Sequence, residues 1–187
     1  MRTQILGGLL AVTLSAISLV TAAPAASATA VPSTEQRTPE RVRLAGFDIP
    51  AQPRGGVKIS HATATARLSA AGITWGSSGN CSDRLNPNCT SFDQIFSGTI
   101  DQVITLKRAS GCAVHLTGGT ETGHGGGTYT HWNGYKVDFR RADCIEGYIR
   151  RSFTQRQPTF GVEQWVSNAG NIYTREANPP HWDVLYF

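Results

Sequence analysis

Two stretches of the chain hold most of the side chains that could do chemistry. The first runs Thr117-Gly-Gly-Thr-Glu121-Thr-Gly-His124-Gly-Gly-Gly-Thr-Tyr-Thr-His131-Trp-Asn-Gly134-Tyr-Lys-Val-Asp138, and the second is Pro180-His181-Trp-Asp183-Val184. A catalytic zinc takes three protein ligands, commonly imidazole nitrogens and a carboxylate at about 2.0–2.2 Å, and keeps a fourth position for water. His131, Asp138 and His181 supply that set. Hydrolysis at such an ion also needs a group to accept the water proton and a group to hold the developing negative charge. Glu121 and His124 are the candidates, because they lie in a glycine-rich loop whose backbone can come close to a substrate. Asp183 is the other candidate base. On a strand it points to the same side as His181, so it could equally orient a ligand imidazole.

The pattern His131-Trp-Asn-Gly134-Tyr-Lys-Val-Asp138 resembles the first zinc motif of the D-alanyl-D-alanine carboxypeptidase and hedgehog-type zinc peptidases, a motif that phage and bacterial peptidoglycan endopeptidases share. In that family a third ligand, a histidine, comes late in the chain, and Asn178-Pro-Pro-His181-Trp182 occupies the corresponding place. The resemblance covers roughly residue 114 to the C-terminus. It implies a hedgehog/DD-peptidase-like fold, a bound Zn2+, and hydrolysis of peptide bonds in cell-wall peptides. The chain departs from the family in three places. Tyr129 stands where a serine is usual, and Asn178 stands where the family has its general-base glutamate. Thr117-Gly-Gly-Thr120 replaces the turn that carries an oxyanion-stabilising arginine. These departures make a second function a real alternative: an exported zinc-binding or cell-wall-binding protein derived from such a peptidase but without catalysis.

The elements that must position these residues follow from pattern. Residues 62–71 have a weak helical periodicity. Ser91 with Gln94, and Thr99 with Gln102, are capping-box patterns that predict one helix broken near Gly98, with Ile100, Val103 and Ile104 as its buried stripe and Gly111 as its stop. Residues 112–117 and 134–139 read as strands on either side of the glycine-rich loop. Residues 147–153 and 160–166 read as further strands, Asn168-Ala-Gly-Asn171 as a hairpin turn, and 182–187 as a last strand. The order predicts an α+β domain, an antiparallel sheet with helices on one side. His61 and His115 are expected to be structural. Tyr129 and Trp132, which flank His131, could line a cleft.

The N-terminus fixes the expected compartment. An apolar run follows Arg2 and ends in Ala26-Ser-Ala28, which predicts a secretory signal peptide over 1–28. A Pro-, Ala- and Thr-rich linker or short pro-segment over 29–56 follows, and then the zinc-peptidase-like domain over 57–187. A secreted protein, with the cell wall as its possible site, free of membrane after cleavage and monomeric, is the expectation. Four cysteines suit an oxidising destination, and the turn-rich stretch between Cys81 and Cys89 favours pairing these two, leaving Cys112 with Cys144. The formal net charge is +4, and Arg2 leaves with the leader. This modest surplus favours an anionic wall. It argues against nucleic acid, since no basic block with interleaved aromatics exists.

Overall fold

Alternation along two strands sets the architecture. In Lys136-Val-Asp-Phe-Arg140 and Pro180-His-Trp-Asp-Val-Leu185, apolar Val137, Phe139, Trp182 and Val184 are fully buried, while the alternate residues are polar or charged apart from Pro180 and Leu185. Period-two alternation sends the two sets to opposite faces of a sheet. One face therefore builds the core and the other carries chemistry.

The computed structural model describes the backbone of residues 41–44 and 47–50, and residues 55–158 and 161–187 throughout. The expected signal peptide over 1–28 lies outside the described residues. Strands β1 (Arg41–Leu44) and β2 (Phe47–Pro50) pair antiparallel within the segment read as a linker. The next elements are β3 (Lys58–Ile59), α1 (His61–Ala70), β4 (Thr74–Trp75), β5 (Ile95–Phe96), α2 (Ser97–Ser110) and β6 (His115–Gly118). Then come β7 (Lys136–Arg140), α3 (Asp143–Ser152), β8 (Thr154–Gln155), β9 (Glu163–Val166), β10 (Ile172–Ala177) and β11 (Pro180–Leu185). Seven strands form one sheet in the order β4-β6-β7-β11-β10-β9-β8, and β3 pairs with β5 separately.

The mixed α+β class is as expected, with one amendment to the sheet. All its pairs are antiparallel except β4 with β6, which run parallel. Ala64 and Leu68 of α1, Ile100, Val103 and Ile104 of α2, and Ile145 and Ile149 of α3 join Val137, Phe139, Trp182 and Val184 in one apolar cluster. Full burial of each large aliphatic side chain contributes roughly 1.5–3 kcal/mol, so this face supplies most of the driving force for folding.

Two local expectations are corrected. Residues 147–153 are not a strand: 147–152 belong to α3, whose Ile145 and Ile149 lie one turn apart and face the core, and Phe153 caps it in extended conformation. Asp143 and Glu146 in its first turn and Arg150 and Arg151 in its last complement the helix dipole, which offsets the cost of Gly147. Nor does a helix begin at Ser91. Its hydroxyl accepts from the Asp93 backbone N–H, Gln94 takes a left-handed φ of 62°, and the chain then enters β5. Helix α2 starts at Ser97 without a side-chain cap, and Thr99 instead donates its hydroxyl proton to the Gly134 carbonyl. The other end matches expectation, with Gly111 at φ 67° closing the helix. The hairpin at 168–171 is present, joining β9 to β10.

Both disulfides join the pairs favoured from the sequence, Cys81 with Cys89 and Cys112 with Cys144. They suit an oxidising compartment. No helix among the described residues is long and apolar enough to cross a membrane.

Candidate metal centre

The chemistry-bearing face of the sheet is organised by register. Asp138 on β7 pairs with Asp183 on β11, and Arg140 pairs with His181. On the other flank of β7, Gly118 at the end of β6 pairs with Asp138 across a register shift. A Cβ at Gly118 would overlap the Asp138 carboxylate, standing 3.0 Å from its Cγ and 3.1 Å from its Cβ. Glycine there makes the room that the carboxylate occupies.

Residues 119–135 connect β6 to β7 and carry three of the predicted site residues. Glu121 is buried, and its carboxylate accepts from the backbone N–H groups of Ser91 at 2.7 Å and Gly119 at 3.0 Å. Burial alone would raise its pKa; the hydrogen bonds from His124, Ser91 and Gly119 outweigh that and hold it below the usual glutamate value. Gly134 ends the loop at φ 82°, and a Cβ there would stand 2.6 Å from the Gln94 carbonyl oxygen. The glycine of the His-x-x-Gly motif is thus required by backbone conformation and by crowding alike.

Three imidazoles converge on Asp138, each fixed through its other nitrogen. His131 Nδ1 lies 2.7 Å from the Gly119 carbonyl, and His181 Nδ1 lies 2.7 Å from the Pro179 carbonyl. A carbonyl only accepts, so in both rings Nδ1 carries a proton and Nε2 is the nitrogen left to face Asp138. Those Nε2 atoms stand 3.3 Å (His131) and 3.6 Å (His181) from Asp138 Oδ1. His124 is turned the other way round: Nε2 donates to Glu121 Oε1 at 3.1 Å, and Nδ1 lies 3.8 Å from Asp138 Oδ2. The His124 and His131 rings stack, their centroids 3.8 Å apart.

This arrangement fits a cation. His131 Nε2 and Asp138 Oδ1 are buried and have no hydrogen-bond partner among the described residues, although they face each other. Each such orphan costs about 1–3 kcal/mol if left uncompensated. Donors held about 2.05 Å from a tetrahedral ion stand about 3.3 Å apart, close to the separations seen around Asp138. His124, His131 and Asp138 each offer a donor atom within 4.8 Å of the others, so this cluster could hold a metal ion. In the metal-free chain the same positive charge comes from a proton. Burial pushes His131 down, but the neighbouring carboxylates of Asp138 and Asp183 raise it to about 10.

Asp183 completes the inner face. Its Oδ2 accepts from Lys136 Nζ at 2.9 Å and lies 3.6 Å from His131 Nε2, while its Oδ1 is buried without a partner. Burial would raise its pKa, but His131 and Lys136 overcome this and hold it at about 2. The six residues singled out in the sequence, Glu121, His124, His131, Asp138, His181 and Asp183, all line one cleft of about 840 Å³.

Sequence reasoning passed over three charged residues of that cleft: Lys136, Arg140 and Glu176. Glu176 pairs in register with His181 and lies 3.5 Å from its Nε2. Lys136 and Arg140 could have been found from the alternation around Asp138, which puts them on its face. Glu176 could be found only with the β10–β11 register in hand. Outside the site, His61 and His115 are structural as expected: His61 Nδ1 accepts from the Phe92 N–H, and His115 Nδ1 lies 2.8 Å from Thr74 Oγ1. Trp132 stacks under the Arg84 guanidinium at 3.6 Å, whereas Tyr129 lines the cleft. Compared with known proteins, the chain matches no protein-family model, no curated protein and no solved structure.

Proposed function

We propose that the chain is a secreted zinc-dependent peptidase that cleaves peptidoglycan peptides, with the architecture of the hedgehog and DD-peptidase group. One observation carries the reading: three imidazoles, each pinned through one nitrogen, turn the other toward the buried Asp138 carboxylate. His131, Asp138 and His181 would hold the ion, since both Nε2 atoms face the same oxygen, Oδ1. Imidazole and carboxylate donors suit zinc. Zinc there supplies polarisation of a peptide carbonyl and a lowered pKa for water.

The remaining roles fall to this chain's own groups. Glu121 already accepts from two backbone N–H groups and from His124, so it serves to orient His124. His124 Nδ1 then accepts the proton that leaves the attacking water, as a positioned base contributing roughly 10²–10⁴ in rate. Asp183, tied to Lys136, holds the electrostatic balance beside His131.

A second reading has its own observation. His124, and not His181, joins His131 and Asp138 in the group whose donor atoms lie within 4.8 Å of one another. If it ligates, four protein donors close the site and leave no place for water, which describes an exported zinc-binding or wall-binding protein without catalysis. Metal analysis of the secreted protein, followed by incubation with peptidoglycan fragments and mass spectrometry for new amino termini, decides between them. Stoichiometric zinc with new termini supports the peptidase, zinc without turnover supports the binder, and absence of zinc refutes both.

A further inference from the structure

We infer that Arg84 is a positioning residue of the candidate metal centre: from the loop closed by the Cys81–Cys89 disulfide it clasps both limbs of the β6–β7 connection and thereby sets where His124 stands relative to Asp138. The inference rests on the metal-centre reading that both proposed functions share, since His124 needs its place as a base and as a ligand alike.

The clasp has two jaws. On the limb before His124, Arg84 Nε donates to the Thr120 carbonyl at 3.2 Å, and the Arg84 carbonyl accepts from the Thr122 N–H at 2.9 Å. On the limb after His131, Arg84 Nη2 donates to the Trp132 carbonyl, and the guanidinium lies over the Trp132 ring, 3.6 Å from its centroid. Glu121, the partner of His124 Nε2, thus stands between two bonded neighbours, and His131 stands beside a third. The disulfide loop seats Arg84 against this connection: a Cβ at Gly123 would stand 2.9 Å from the Pro87 Cβ.

The ends of the connection are fastened independently of Arg84. Thr120 bonds to the Ser91 and Asp93 carbonyls, and the Gly134 carbonyl accepts from Thr99 Oγ1 and the Phe96 N–H. Losing the guanidinium therefore loosens the segment that carries His124 while leaving its ends and the sheet in place. A planar fork is required, because Nε and Nη2 reach carbonyls on different limbs while the same plane stacks on the indole. A lysine ammonium on its flexible stem does not reproduce that combination.

The test compares wild type, Arg84→Met and Arg84→Lys as whole secreted proteins, stripped with chelator and then titrated with Co2+ and Zn2+. Arg84→Met should stay folded, with the His124 ring-proton NMR resonances of the stripped protein displaced or broadened and those of His181 unmoved. Its zinc affinity in chelator competition should fall by about 10–100-fold, the scale for losing the support behind a ligand, and its visible Co2+ bands should change. Arg84→Lys should restore little of either. Should Arg84→Met fail to fold, Trp132→Leu, which removes the stack and keeps the carbonyl, should give the same changes at smaller amplitude. Unchanged His124 resonances, affinity and bands in Arg84→Met, or in Trp132→Leu where it takes its place, would overturn the inference. So would full rescue by lysine or an equal displacement of His181. If the wild type takes up neither metal, the centre fails, while the resonances of the stripped protein still decide the clasp.

Discussion

Asp138 and Asp183 face each other across neighbouring strands of the sheet, a buried carboxylate and a partly buried one in direct register. Like charges in that position repel and destabilise a sheet. Lys136 answers Asp183, which leaves Asp138 to be answered by a cation among the imidazoles. Zinc should therefore raise the melting temperature of the chelator-stripped protein, by the equivalent of about 2.7 kcal/mol at a hundredfold excess over Kd. His131→Ala and Asp138→Asn should lose that response, and Asp183→Asn should keep it. A melting temperature indifferent to zinc in the wild type would refute the centre.

Acidity should act on the stripped protein from both sides. Asp183 has a folded pKa of about 2, below its ordinary 3.8, so its contribution is complete above about pH 4 and is lost as the pH falls toward 2. His131, raised from 6.5 to about 10, contributes fully below about pH 6.5 and loses that contribution as the pH climbs through 10. Urea melts with chelator present should show a plateau between these limits. Because zinc must displace the His131 proton, its affinity should rise about tenfold per pH unit across the neutral range. Pale calorimetric dependence on buffer ionisation, with no proton released per ion bound, would contradict this.

Glu121 has two separable effects. Glu121→Ala leaves the Ser91 and Gly119 N–H groups unpaired in the interior and should cost about 2–5 kcal/mol in denaturant unfolding. Glu121→Gln keeps an acceptor and most of that stability. With zinc retained, it should still lower wall-peptide turnover by roughly a hundredfold. Turnover unchanged in Glu121→Gln would remove the Glu121–His124 pair from the mechanism.

Gly118→Ala tests the room made for Asp138. The new methyl would drive the carboxylate out of place, so zinc affinity should drop by about 10–100-fold in competition with a chelator, a loss of the size seen when the support of a ligand is removed. Gly125→Ala, where a Cβ meets open space, is the control and should bind zinc as the wild type does.

The grouping of these side chains in one cleft was legible in the sequence, because the candidate motif is local. His131 to Asp138 is a motif eight residues long, and alternation places Asp183 on the side of His181. The disulfide pairing was legible for a similar reason, since turn-formers separate Cys81 from Cys89. What pattern could not reveal depends on long-range partners. The Ser91 and Gln94 pattern matches a helix start, but Ser91 offers its backbone N–H to Glu121, thirty residues away, and the chain turns instead. In α3 the Gly147 and aromatic content imitated a strand, while the spacing of Ile145 and Ile149 and the order of acids before bases carried the correct period. The surroundings of Glu121 and Glu176 follow from loop path and register, which are outcomes of packing.

Alternation on β7 and β11 has a last consequence for how the centre can change. Asp138, Asp183 and His181 are interleaved with Val137, Phe139, Trp182 and Val184, so these donors can be disordered only by melting the sheet that forms the core. Glu121, His124 and His131 hang on a connection whose glycines admit many shapes. The candidate centre thus has a half tied to global unfolding and a half set by loop path, in which buried Glu121 and His131 are the points that any change of loop must keep. New specificities would be sought in the second half, on a donor platform that the first keeps in place.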